Sequence, residues 1–164
     1  MSIRLRDRRR PRLSPELDIK IRIHSSRARW RVVRILLADD HPGFPELEKH
    51  LINPEFQIMG VARNGSDLVE QAMRLEPDIV ITDISMPILN GVEAAKRLRN
   101  LNCRAKIIFL TVHADPEFIQ MCLAAGAMGY VLKSRMASEL MTAIRAVQSG
   151  GTFVSPLPES HNPS

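Results

Sequence analysis

Cysteine is scarce in this chain. Only Cys103 and Cys122 occur in 164 residues, in no CxxC or Cys/His spacing, so neither a disulfide framework nor a zinc site is indicated. A reducing, cytoplasmic compartment is the expectation. Long apolar runs are also missing. None approaches the ~18 to 20 residues that would span a bilayer, so no membrane segment is expected. The arginine-rich N-terminus lacks the apolar stretch of a secretory signal. No internal repeat is present. The net charge of +5 conceals a division. Residues 1–34 carry twelve Lys or Arg against three acids, a balance of +9, and residues 35–164 carry eleven against fifteen, a balance of −4. A mildly acidic body follows a basic front end, and each needs its own reading.

What is present in the body is alternation. "VVRILLAD" reads as a buried strand over about 33–38, and "PELEKHLIN" as a short helix with Leu47 and Leu51 on one face. Gly43 and Pro45 predict a late start for that helix. "FQIMGVA" is a second strand. Ser66 is the expected cap of "DLVEQAMRL", in which Leu68, Val69, Ala72 and Met73 fall at helical spacing. The strands "DIVIT", "KIIFLT" and "MGYVL" then alternate with the helices "GVEAAKRLRN", "ADPEFIQMCLAAG" and "SELMTAIRAVQSGG". The strands are continuous apolar runs, as expected when both faces are covered. Five strands and five helices in strict alternation predict an α/β, doubly wound parallel sheet of flavodoxin type, in the order 2-1-3-4-5.

That fold binds ligands at the carboxyl ends of its strands. Asp39 and Asp40 end the first strand, Asp83 the third and Thr111 the fourth, and Lys133 follows the fifth. Three carboxylates, a hydroxyl and an ammonium therefore converge on one rim. Held close, the carboxylates repel one another unless a cation intervenes. A magnesium ion, which prefers oxygen ligands and keeps several waters, meets that need. Lys133 and Thr111 are placed to engage oxygens of a phosphoryl group, and a carboxylate nucleophile would yield an acyl phosphate. His41, beside the acids, is read as a local turn residue, because magnesium prefers oxygen. Met86-Pro87 and Asn90-Gly91 form a turn that clears the rim.

The stretches "ILLADDHPGF", "DIVITDISMPILNGVEAAKRLR", "KIIFLTVHAD" and "AAGAMGYVLKS" resemble the receiver domain of bacterial two-component response regulators, in detail that of NarL/FixJ-type regulators. The match covers about residues 33–154. The resemblance implies a response regulator of a phosphorelay whose phospho-acceptor, Asp83, takes its phosphoryl group from a sensor histidine kinase. It implies Asp40 and Asp83 as direct magnesium ligands, Asp39 acting through water, and the main-chain carbonyl of Ser85 as a third protein ligand. Thr111 and Lys133 would engage the phosphoryl group. Tyr130 would be the switch aromatic, with a readout surface over residues 115–148 that would also support a homodimer. Such a protein takes part in its own phosphotransfer and is not expected to be an enzyme acting on an external substrate. A phosphatase-like enzyme is disfavoured, because Asp83 is followed by Ile84 and Ser85 rather than by Asp-x-Asp.

Regulators of this type continue into a helix-turn-helix domain. The last residues here, "GTFVSPLPESHNPS", carry no recognition helix and no apolar period. The expected organisation is a basic, disordered extension over 1–31, a receiver over 32–154, and a disordered tail or linker stub over 155–164. Five arginines lie between Arg6 and Arg12. Such a run can neutralise nucleic-acid phosphates, so a truncated or arm-dependent DNA-binding regulator is the alternative reading.

Overall fold

The computed structural model of the chain describes residues 31–158; residues 1–30, with the basic arm, and 159–164 lie outside the described residues. The described part alternates strand and helix: β1 (Val33–Ala38), α1 (Phe44–Leu51), β2 (Phe56–Ala62), α2 (Gly65–Leu75), β3 (Ile79–Thr82), α3 (Gly91–Asn100), β4 (Lys106–Thr111), α4 (Pro116–Ala124), β5 (Gly129–Leu132), α5 (Met136–Gln148) and a short β6 (Phe153–Val154). A single 3-10 turn, Lys133–Arg135, joins β5 to α5.

All strand pairs are parallel, in the order β2-β1-β3-β4-β5-β6. The expected order is found, with one strand more than the sequence suggested. Side chains alternate across a strand, and both faces here are apolar. Leu36, Val80, Phe109 and Tyr130 belong to a core shared with α2, α3 and α4. Ile35, Leu37, Ile81, Leu110 and Val131 belong to a second core completed by α5 residues such as Leu140 and Ile144. Burying each large aliphatic side chain stabilises the fold by roughly 1.5–3 kcal/mol, which is why these short strands need no polar face.

Local chemistry sets three helix starts, and at α2 it differs from expectation. α1 begins at Phe44 with Pro45 in its first turn, where a missing N–H costs nothing. α2 is capped by Asn64 rather than Ser66, the Asn64 side chain accepting from the Asp67 amide at 2.8 Å. α3 is capped by Asn90, which accepts from the Glu93 amide at 2.8 Å.

The register aligns the strand ends. Ala38 pairs with Thr82, so Asp39 and Asp83 leave the sheet side by side. Thr111 pairs with Leu132, one residue before Lys133. Ser155, the first residue of the expected tail, is buried. Its amide donates to the Tyr130 carbonyl at 2.8 Å, and its hydroxyl accepts from the Leu132 amide at 3.0 Å while donating to the Glu139 carboxylate.

Candidate functional site

Each acid of the rim is held by its own strand end. Asp39 is 1% exposed; its Oδ1 accepts from the His41 amide at 2.8 Å and its Oδ2 from Lys133 Nζ at 2.6 Å. Asp83 is 3% exposed; its Oδ1 accepts from the Ile84 amide at 2.6 Å and the Ser85 amide at 3.4 Å, and its Oδ2 from Lys133 Nζ at 2.9 Å. One ammonium thus bridges two buried carboxylates. Burial opposes its charge, but the hydrogen bonds it donates to Asp39 and Asp83 hold the Lys133 pKa above its ordinary value.

Asp40 is the most exposed of the three acids, and its Oδ1 has no hydrogen-bond partner among the described residues. The His41 Nδ1 atom lies 3.2 Å from that oxygen and 3.3 Å from Asp39 Oδ1. Asp39, Asp40, His41 and Asp83 each present a ligand atom within 4.8 Å of the others. This oxygen-rich set, with an unsatisfied carboxylate oxygen, fits a divalent cation. His41 adds a nitrogen donor that the sequence reading had set aside.

The turn after Asp83 has a steric reason. A Cβ on Gly91 would stand 1.9 Å from the Asp83 carbonyl oxygen, so only glycine lets α3 start this close to the acid. The Gly91 amide donates to the Ile84 carbonyl at 2.9 Å, and the Thr82 hydroxyl to the Asp83 carbonyl at 2.9 Å. These bonds fix the loop that carries Ser85, whose carbonyl is the ligand the resemblance implied.

On the other side of the rim, Thr111 is fully buried and its hydroxyl accepts from the His113 amide at 3.3 Å. Tyr130 is also fully buried, its ring turned into the core and its hydroxyl donating to the His113 carbonyl at 2.7 Å. Burial pushes its phenol pKa up. The His113 ring stacks on Phe118 at 4.0 Å, and its Nε2 lies 3.0 Å from Ser85 Oγ. His113 therefore touches the loops of both Asp83 and Thr111. Sequence reasoning passed over it, since nothing local marks a histidine whose contacts come from three elements. Phe44 and Glu48 were passed over as well. The Phe44 ring centre lies 4.0 Å from Lys133 Nζ, and Glu48 is buried. Helix α1 buries Pro45 and Glu48 while Leu47 is 48% exposed, so the expected Leu47/Leu51 face is corrected.

A doubly wound parallel sheet thus carries an acid pocket and a bridging lysine at its carboxyl edge. Residues 35–145 match the response regulator receiver domain family, and the chain belongs to it. It is 34% identical over 126 residues to the transcriptional regulatory protein DegU of Brevibacillus brevis, covering 76% of this chain and 53% of that protein. The chain spans about half the length of the curated relatives it matches. Among solved structures, a LuxR-family two-component response regulator from Aurantimonas sp. SI85-9A1 is 34% identical with a TM-score of 0.73, covering 76% of this chain and 91% of that one. The signal receiver domain of the response regulator NarL from Mycobacterium tuberculosis is 26% identical with a TM-score of 0.69, covering 72% and 97%. The protein is thus a response regulator receiver of the two-component type.

Proposed function

We propose that this receiver is a phosphorylatable switch. Asp83 accepts a phosphoryl group from a partner histidine kinase, and the altered pocket changes a protein-interaction surface over residues 115–148. The observation that carries this reading is the sharing of Lys133 by Asp39 and Asp83 at the carboxyl edge of the sheet. In the transfer, an Asp83 carboxylate oxygen forms a bond to phosphorus as the phosphorus–nitrogen bond of the donor imidazole breaks, leaving that electron pair on nitrogen. Lys133, buried and cationic, is positioned to move from the acceptor carboxylate to a phosphoryl oxygen. Thr111 supplies a hydroxyl for another. Asp39, Asp40, Asp83 and the Ser85 carbonyl would hold magnesium, which when bound screens the charge of the phosphoryl group from these carboxylates. Asp83 is phosphorylated once per cycle, hydrolysis of the acyl phosphate by water returns the carboxylate and inorganic phosphate, and no external substrate is turned over. The residue 115–148 face is also the proposed homodimer surface.

Incubation with acetyl phosphate and magnesium tests this. The mass of one phosphoryl group should be added, should be absent in Asp83→Ala, and should be reduced in Asp40→Ala. Continuous release of phosphate from unrelated phosphate esters would contradict it and point to a phosphatase.

Several matched relatives are named transcriptional regulators. A DNA-directed output for this chain is a separate reading carried by the Arg6–Arg12 run. It requires tighter DNA binding by the full chain than by a chain starting at Val32, and equal affinities would dismiss it. No helix among the described residues is long and apolar enough to cross a membrane.

A further inference from the structure

The segment that follows α5 covers the free edge of β5. Phe153 pairs with Gly129 and Val154 with Tyr130, in parallel register. Inward and outward residues then alternate, as in a strand. Phe153 packs against the core completed by α5, and Leu157 against the other core. Ser155, between them, is 1% exposed, while Val154 and Pro156 face out. Ser155 lies outside residues 35–145, the stretch that matches the receiver family.

The buried Ser155 hydroxyl has two partners on the far side of β5. It accepts from the Leu132 amide at 3.0 Å and donates to Glu139 Oε2. The other oxygen of Glu139 accepts from Arg135 at 2.8 Å. The 3-10 turn Lys133–Arg135 is therefore gripped at both ends, at the residue that leads into it and at the residue that closes it. Lys133 opens that turn. Its ammonium lies on Asp39 and Asp83 and under the Phe44 ring, and its side chain is almost wholly buried. In a close-packed interior a buried stem has little travel apart from the main chain that carries it. Drawing Nζ from Asp83 to a phosphoryl oxygen therefore pulls on the Leu132–Lys133 peptide, and the amide just before it is the one that Ser155 holds.

We infer that Ser155 is a further positioning residue for the reaction, a clasp that keeps Lys133 in its resting place on Asp39 and Asp83 and opens when the ammonium turns to the phosphoryl group. The inference rests on the reading of Asp83 as the acceptor. Coupling between two sites is reciprocal. Filling the pocket loosens the clasp, so loosening the clasp favours the filled pocket. Ser155 is thus a brake on the phosphorylated state, and the segment over residues 152–157 senses the pocket without touching it. A side chain that only supported the fold would weaken the pocket when removed, not strengthen it.

The test uses beryllofluoride, a tetrahedral stand-in for the phosphoryl group, with saturating magnesium and the full chain. The bound fraction is read by fluorine NMR. Ser155→Thr keeps the hydroxyl, and Ser155→Val has the shape of threonine without it, so comparing the two separates the clasp from the added methyl. Ser155→Val should bind at least about fivefold more tightly than Ser155→Thr. Ser155→Ala, which needs no extra room, should exceed wild type by at least about fivefold as well. In wild type the Leu132 amide should exchange its hydrogen faster with beryllofluoride bound than without it. Equal or weaker binding by the variants that lack the hydroxyl overturns the inference and leaves Asp83 as the acceptor, as does unchanged or slower exchange at Leu132. Failure of the wild type to take up beryllofluoride overturns the acceptor reading with it.

Discussion

Lys133 and Asp83 are 50 residues apart in sequence and 2.9 Å apart at Nζ and Oδ2, both almost wholly buried. The same ammonium reaches Asp39 at 2.6 Å. Breaking a buried pair from one side strands the other charge, which typically costs about 3–5 kcal/mol. Lys133→Met should therefore destabilise the fold by roughly 3 kcal/mol in EDTA at neutral pH. Part of that loss should return on adding magnesium, which can neutralise the stranded acids. Urea denaturation with and without magnesium measures this, and an identical loss in both conditions would count against a shared cation site.

Glu48 makes stability depend on pH in a direction opposite to a salt-bridged acid. Its pKa is raised from 4.5 to about 8 by burial and then by Asp39 and Asp83. Below the unfolded value both states hold the proton and nothing is lost. Between about 4.5 and 8 the unfolded chain ionises while the folded one keeps its proton, so stability falls as pH rises, and the deficit is complete above the folded value. Glu48→Gln should remove this slope. In EDTA its gain over wild type should grow across that window to something on the order of a few kcal/mol. A gain that is constant with pH would mean that Glu48 does not titrate as described.

Gly91 is where α3 passes the acceptor. With only 1.9 Å between an added Cβ and the Asp83 carbonyl oxygen, the backbone has to move. Gly91→Ala should cost upwards of roughly 2 kcal/mol and displace Asp83 from Lys133. Denaturation and phosphodonor labelling on the same sample check both parts, and unchanged labelling would show that the loop tolerates the shift.

Tyr130 ties β5 to the loop after β4 through its bond to the His113 carbonyl. Tyr130→Phe keeps the ring and removes that bond, so about 1 kcal/mol should be lost. Faster amide exchange should follow in the loop over residues 112–115 rather than in the sheet. Uniform acceleration across β4 and β5 would instead indicate that the ring, not the hydroxyl, holds this side of the pocket.

Much of this molecule is legible in its sequence because burial on both faces leaves a plain mark. Ile79-Val80-Ile81 and Ile107-Ile108-Phe109-Leu110 can hardly be anything but central strands, and parallel register then brings Asp39, Asp83 and Lys133 to one edge. What escaped was set by contacts rather than by pattern. β6 is two residues long, too short for any periodicity. Asn64 and Ser66 are both good caps, and only the path of the chain chooses between them. In α1 the apolar Leu47 faces out while the acidic Glu48 is buried, within reach of the charges of Asp39, Asp83 and Lys133. His113 draws its role from Ser85, Phe118 and Tyr130, none of them near it in a way that a spacing rule detects.

The most direct measurement is chemical trapping of the acceptor. Borohydride reduces an aspartyl phosphate to homoserine, so the full chain would be labelled with acetyl phosphate and magnesium, reduced, digested and sequenced by mass. Homoserine is expected at position 83 and at no other acid. Conversion at position 39 or 40, or none at all in a chain that takes up phosphate, would contradict it.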